Sequence, residues 1–353
     1  MSFKILTLND SEEWNNLLAK LPAEQQDIYY TPEYYSLYEK NGDGKALCFV
    51  FEKDGNIALY PFLINSVNAL GYNLDKEYFD IQGAYGYNGV VSSNYEKAFI
   101  NEFYDSFNSF CAENKIIAEF TRFHPLMGNA GFSKNHLDVI FDRKTVYIDL
   151  QQDYNALYAD FQRTTKKQIR RTIEKYGLLI ENICNDESVV DVFYGIYTEA
   201  MRNVNAGKYL YFSEEYFKNL LKIDGVCCFF VIYQGQYIST ITTMHYGEYL
   251  HGHLGGTLTD FLSFSPFSIM YDAMIKLGQK KGCRYLHVGG GATVKDDDPV
   301  LKYKLHFSKN TKDFFIGKKI YDIEIYKNVA KQWEFENPSK IEKYKNHLLK
   351  YRY

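Results

Sequence analysis

The spacing of apolar residues changes repeatedly along the chain, and each change marks an element. Residues 3–8 alternate as a strand, and Asn9-Asp10-Ser11-Glu12 then starts a helix that runs to about Leu18. Thr31-Pro32-Glu33 starts another, because proline suits a first helical turn. Residues 46–53 and 56–65 read as strands joined across Asp54-Gly55, a pair that favours a two-residue hairpin turn. The glycine- and tyrosine-rich segment 80–91 (DIQGAYGYNGVV) predicts a loop leading into a strand. Helical spacing returns over 96–115, with strands at 116–123 and 146–150.

The second half repeats this order. Residues 153–176 read as helix, 178–183 as strand, and 187–202 and 213–223 as helices. Strands at 226–233 and 237–245 form a hairpin across Gln234-Gly235-Gln236, and 249–254 continues that sheet. A helix at 268–281 leads to a strand at 284–288. Each half therefore runs through helices, an antiparallel hairpin and a β-α-β unit, although the halves share no evident sequence repeat. The order predicts an α+β (mixed α/β) protein with two similar domains, each a mostly antiparallel sheet flanked by helices. The expected divisions are 1–150, 151–326 and a helical tail at 327–353.

The length of 353 residues fits two domains of ~150 residues each. A hydrophobic share of 46% is ordinary for a globular chain, but aromatic residues reach 17%. Such residues either fill half-buried positions, the commoner use, or line a substrate groove. A net charge of −4 argues against a surface given over to nucleic acid or membrane. The six cysteines are scattered without a C-x-x-C and read as reduced, mostly buried thiols of a cytosolic protein. No apolar run approaches ~18 residues, and no apolar segment opens the chain. A cytoplasmic protein with no integral membrane association is expected.

The richest chemistry lies in residues 243–322. The strand YLHGHL ends at Gly255-Gly256, and after a helix the strand RYLHV runs into Gly289, Gly290 and Gly291. Shortly afterwards LKYKLHF presents Lys302 and Lys304. This order suggests a cleft at splayed strand ends, with a fixed cation facing an anionic or acyl group. If LKYKLHF is extended, Lys302, Lys304 and His306 share one side, with Tyr303, Leu305 and Phe307 on the other. The plain alternative is a surface lysine on an amphipathic edge. The glycines match neither a P-loop nor G-x-G-x-x-G, and read as places where backbone or substrate approaches closely.

The densest basic cluster is QRTTKKQIRRTIEK. On a helix Arg163, Lys167, Arg170 and Arg171 share one face suited to phosphates, while Ile169 and Ile173 anchor another. A solvated helix face is the competing reading. His251 and His253 alternate on one strand face, but spacing supplies no third ligand, so no metal is expected. His253 is a candidate general base or hydrogen-bonding group. Asp296-Asp297-Asp298 before Pro299 reads as a solvated loop or a helix start.

Together TTKKQIRRTIEKYGLLIE, FYGIYTEAMRNVNAGKYLYFSEEYF, YLHGHLGGT, YLHVGGG and LKYKLHFSK resemble the FemAB/FemX-like branch of the GNAT N-acyltransferase superfamily. YYTPEYYSLYEK, LYPFLI and DIQGAYGYNG in the first half are similar to that family's N-terminal domain. The resemblance implies tandem GNAT-like domains that transfer an acyl group to an amine. The donor is implied to be aminoacyl-tRNA or acyl-CoA, with no tightly bound cofactor. The acceptor is implied to be a small-molecule or lipid-linked precursor of the cell envelope, peptidoglycan or polysaccharide. Lys304 matches the family's lysine near the transferred group, and Arg170-Arg171 its basic helix. Substrate-binding residues are expected at Arg163, Lys167, Arg170, Arg171, Tyr211, Lys302, Gly255 and Gly289, with Lys304 and His253 as the catalytic pair. Backbone N–H groups from His253 to Gly255 are expected to stabilise the oxyanion. The long helical arm of some members is missing. TLTDFLSFSPFSIM also lacks the glycine pair with which ordinary GNAT enzymes grip the CoA diphosphate, which favours a tRNA-borne or otherwise unusual donor. Two alternatives stand beside this reading: a CoA-dependent N-acetyltransferase acting on an amino sugar, and a non-catalytic precursor-binding protein of the same fold.

Overall fold

The structure, a computed structural model, describes residues 2–353. Its backbone divides into two units. Residues up to Asp142 together with Phe314–Tyr353 form unit 1, and Arg143–Asp313 form unit 2.

In unit 1, β1 (Ser2–Leu6), α1 (Ser11–Leu18) and α2 (Pro32–Lys40) precede the hairpin of β2 (Lys45–Lys53) and β3 (Asn56–Ser66). Asp54 and Gly55 both take left-handed φ, as a turn matched to strand twist requires. Thr31 caps α2 by accepting from Tyr34 N, with Pro32 at the first position. Then come β4 (Phe79–Gln82), β5 (Val91–Ser92), α3 (Lys97–Glu113), β6 (Ile116–Arg122), α4 (Ala130–Ser133) and the long β7 (Asp138–Asp149). β1, β2, β3 and β4 pair antiparallel, and α3 crosses over to set β6 parallel to β4. Part of the aromatic excess goes into the layer beneath α3. Phe99, Phe103, Phe107 and Phe110 pack on Phe49, Phe51, Tyr60 and Phe62. Glu119 is buried in this layer and accepts from Tyr60 Oη at 2.6 Å and Tyr321 Oη at 2.5 Å.

In unit 2, α5 (Tyr154–Asp160), α6 (Arg163–Glu174), β8 (Leu179–Cys184), α7 (Val190–Asn203) and α8 (Glu214–Leu221) lead to β9 (Val226–Tyr233). β10 (Gln236–Tyr246), β11 (Tyr249–Thr257), α9 (Phe267–Lys280), β12 (Tyr285–Gly290) and α10 (Pro299–Lys304) follow. The plan repeats that of unit 1. β8, β9, β10 and β11 pair antiparallel, and α9 crosses over to set β12 parallel to β11. Met270, Met274 and Ile275 of α9 belong to the buried core that includes Leu250 and Leu286. The chain ends with β13 (Thr311–Ile320), α11 (Ile323–Glu336) and α12 (Ile341–Tyr344).

The closing strands of the two sheets are exchanged in sequence. β13, which follows unit 2, pairs antiparallel with β6 of unit 1. The second part of β7, which precedes α5, pairs antiparallel with β12 of unit 2. This moves the divisions to 142/143 and 313/314, where the sequence reading placed them at 150/151 and 326/327. Residues 327–353, expected as a helical tail, contain most of α11, the single turn of α12 and two short 3-10 turns.

Three local expectations change. The helix expected over 153–176 is interrupted at Phe161 and Gln162, which take extended backbone between α5 and α6. Ile173 is half exposed and anchors nothing; the buried positions of α6 are Thr165, Ile169 and Thr172. Cys184 and Cys227 are not free thiols but form a disulfide, because they stand opposite each other as the last β8/β9 pair. Cys48, Cys111, Cys228 and Cys283 are free and buried, as expected. Among the described residues no helix is long and apolar enough to cross a membrane.

The C-terminal residues fasten unit 1. Arg352 Nε donates to both carboxylate oxygens of the fully buried Asp80, at 3.0 and 2.8 Å. Replacing Arg352 with Met leaves that carboxylate buried without its cation. The variant is expected to lose about 3–5 kcal/mol of stability, read by denaturant unfolding.

Candidate active site

The site grows from a pairing that stops early. β11 and β12 pair in parallel through Tyr249/Tyr285, Leu250/Leu286 and His251/His287. Beyond these pairs each strand follows its other neighbour. On the β10 side, Ile241 faces Gly255 and Thr243 faces Gly252, so His253 and Leu254 together oppose Thr242 in a β-bulge. On the β7 side, Gly289 pairs with Val146 and Gly290 with Thr145, with Val288 as the extra residue. The strands part above the buried His251 and His287, whose rings lie 5.6 Å apart.

His253 stands on the β11 side, with Nε2 3.5 Å from Tyr216 Oη, and Tyr216 stacks on Phe212. Burial pushes the His253 imidazole down to about 3, and His251 pushes it the same way. It is neutral at physiological pH, and so weak a base suits hydrogen bonding better than proton capture. Thr242 Oγ1 occupies the bulge: it accepts from Leu254 N at 3.0 Å and donates to Leu254 O at 3.1 Å. The Leu254 N–H is therefore committed, which removes it from the expected oxyanion donors.

Lys304 stands on the β12 side, but not as an extended segment would carry it. Asp298 caps a helical turn, Pro299 occupies its first position, and residues 299–304 are α10. The Asp-Pro pair sets helical period over the alternation read from LKYKLHF. Lys302 and Lys304 therefore point to nearly opposite sides, and Lys302 is exposed. Lys304 Nζ donates to Gly290 O at 2.7 Å. It lies 3.3 Å from where a Cβ on Gly289 would sit, and Gly289 has φ +74°, so only glycine fits comfortably there. Burial pushes the Lys304 amine down to about 8; Asp298 opposes this and Arg143 reinforces it. It remains mostly an ammonium at neutral pH.

The other expected residues fall into two groups. A Cβ on Gly255 would meet Thr240 O at 2.4 Å, so this glycine serves the contact of β11 with β10. Arg163, Lys167, Arg170 and Arg171 share the exposed side of α6. Arg171 donates to Tyr176 Oη at 2.5 Å, and Tyr176 stacks on Phe264 just before α9. Tyr211 is exposed, following a short turn at Lys208–Leu210. The start of α9 offers little to a diphosphate: Ser268 N donates to Ser265 O and Ile269 N to Pro266 O. Sequence reasoning missed Thr242, Tyr216 and Arg143, which carry no spacing signal. Asp298 was visible as a helix start, but its reach back to the glycine turn was not.

In unit 1 the matching strands stay together. β4 and β6 pair through Gln82/Phe120, and further on Asn88 bridges to Phe123. Asn88 N donates to Arg122 O at 2.6 Å, and Arg122 N donates to Asn88 Oδ1 at 2.8 Å. The loop between β4 and β5 thus fills the place that is open in unit 2.

Residues 159–305, spanning most of unit 2, match the family model described as an acetyltransferase (GNAT) domain. The whole chain has the fold of FemX, with a TM-score of 0.70 and 14% identity, over 93% of this chain and 99% of that one. It is also similar to the C-terminal domain of a putative lysylphosphatidylglycerol synthetase from Agrobacterium fabrum, with a TM-score of 0.55 and 11% identity, over 88% and 91% of the two chains. A tandem GNAT protein from the clavulanic acid biosynthesis pathway aligns with a TM-score of 0.50 and 10% identity, over 91% and 98%. No curated protein matches the sequence. Over residues 159–305 the chain therefore matches a GNAT acetyltransferase domain, and its fold is that of FemX and the tandem GNAT structures.

The packing role of Gly255 has a direct check. Gly255→Ala is expected to lower stability by about 1–3 kcal/mol in ligand-free denaturant unfolding, because the backbone oxygen it meets cannot move aside.

Proposed function

We propose that this protein is an N-acyltransferase that forms an amide on an amino-bearing cell-envelope precursor, with the reaction in the β11/β12 opening of unit 2. The observation that carries the reading is that opening itself, with the Lys304 ammonium on its β12 side. The neutral amine of the acceptor attacks the donor carbonyl carbon, and a C–N bond forms as the bond to the leaving oxygen or sulfur breaks. The amine proton passes to solvent or to a phosphate of the acceptor, and a proton ends on the leaving group. Lys304 stabilises the negative charge that develops on the carbonyl oxygen. His253 orients a substrate by hydrogen bonding.

Aminoacyl-tRNA is the favoured donor, because two of the first N–H groups of α9, those of Ser268 and Ile269, are already engaged. The likeness to FemX and to a putative lysylphosphatidylglycerol synthetase, whose name refers to an aminoacyl lipid, supports the same choice. The exposed cations of α6 suit the phosphates of tRNA or of a nucleotide- or lipid-linked acceptor.

The activity is tested by mass spectrometry for amide products, with aminoacyl-tRNA and acyl-CoA donors offered in parallel; no product from either donor refutes the reading. In an active preparation, Lys304→Met is expected to cut turnover by roughly a hundredfold or more. Near-normal turnover of the folded variant removes Lys304 from the chemistry. Turnover should also decline as pH rises through about 8, where the Lys304 ammonium is lost. His253→Gln keeps a hydrogen-bonding group and is expected to stay within about tenfold of wild type; a larger loss restores His253 as the general base.

A further inference from the structure

The turn formed by Gly289, Gly290 and Gly291 is gripped from two directions. Arg143, where β7 enters unit 2, donates from Nη1 to Gly291 O at 2.9 Å, next to the carbonyl that receives Lys304. From the other direction Asp298 ties the residues just after the turn to the start of α10. Its carboxylate accepts from Ala292 N, Thr293 N and Thr293 Oγ1 at 3.2, 2.9 and 2.9 Å. It also accepts from Val300 N and Leu301 N at 2.9 and 3.0 Å, which fixes the first turn of α10. The fit leaves no slack: a Cβ on Gly290 would meet Arg143 Cδ at 3.0 Å, and one on Gly291 would meet Asp298 Oδ1 at 2.6 Å.

We propose that Asp298 and Arg143 are positioning residues for Lys304, clamping the glycine turn against α10 so that the ammonium stays at the β12 side of the opening with an acid and a base balanced around it. The catalytic consequence rests on the reading of Lys304 above; the clamp itself does not. Asp298 faces Lys304 from the cap of α10 and favours its charged form, Arg143 faces it from β7 and opposes it, and β12 contributes the Gly290 carbonyl. Burial pushes the Asp298 carboxyl up, but the hydrogen bonds from Leu301, Thr293 and Ala292 outweigh it and hold the group down at about 2. Asp298 is thus ionised at any pH where the enzyme works.

The clamp predicts opposite electrostatic effects from its two arms. The full-length protein is 13C-methylated on lysine, and Lys304 is titrated by NMR with Lys304→Arg to assign its signal. Asp298→Asn should lower the Lys304 pKa by roughly one unit, and Arg143→Gln should raise it by a similar amount. Asp298→Ser retains a helix cap without the charge and should shift as Asn does, which guards against a variant that merely unfolds. Arg143→Lys keeps the cation and should stay near wild type. An unmoved titration in the folded Asp298 variants, or shifts of the same sign in the Asp298 and Arg143 variants, overturns the proposal. Turnover separates the two claims, since the alkaline limb of kcat should follow the titration in each variant. A limb that stays fixed while the titration moves removes Lys304 from the chemistry and leaves the clamp intact.

Discussion

Everything distinctive about unit 2 depends on how briefly β11 and β12 pair. Parallel strands that separate leave N–H and C=O groups without a ladder partner, and such groups cannot be buried unpaired without cost. Here each strand meets the problem with its own residues. On the β11 side, the Thr242 hydroxyl enters the bulge and serves both backbone groups of Leu254. On the β12 side, Lys304 and Arg143 occupy successive glycine carbonyls. Unit 1 is built on the same plan but resolves the matching position differently, by folding Asn88 into it. The same architecture thus appears once sealed by its own chain and once held apart by side chains.

That arrangement gives Lys304 an unusual setting. Its ammonium is met by a carbonyl rather than a carboxylate, so its charge is fixed in place but not neutralised by direct contact. Asp298 spends its hydrogen-bonding capacity on backbone N–H groups and the Thr293 hydroxyl, and acts on the lysine through space. A cation anchored in this way can still respond to negative charge developing beside it, whereas one in a tight ion pair would first have to break that pair.

Much of this was legible in the sequence where local rules decide. The Asp54-Gly55 hairpin, the Thr31-Pro32 helix start and the two glycine-ended strands all form as their residues dictate. The order of elements in each half was enough to anticipate two similar mixed α/β domains, and the resemblance carried by the sequence motifs implied that they are GNAT-like. What stayed hidden depends on partners distant in sequence. Nothing around Thr242 announces that it will oppose two residues of another strand, and nothing near Arg143 points to Gly291. Cys184 and Cys227 become a disulfide only through the register of β8 with β9. LKYKLHF misled for a different reason. Its alternation is real, but the Asp298-Pro299 start just before it imposes the helical period.

The exchanged closing strands carry a consequence for how the chain is made. During synthesis β6 emerges long before β13, and all of unit 2 must be translated in between. Until then unit 1 presents the bare edge of β6 and lacks Arg352 beside its buried Asp80. A ribosome-bound fragment ending within unit 2 is therefore a sheet with an open seam, an invitation to mispairing that β13 and the residues after it close. The two units look like tandem repeats, but the chain cannot release the first as a finished domain before the second exists.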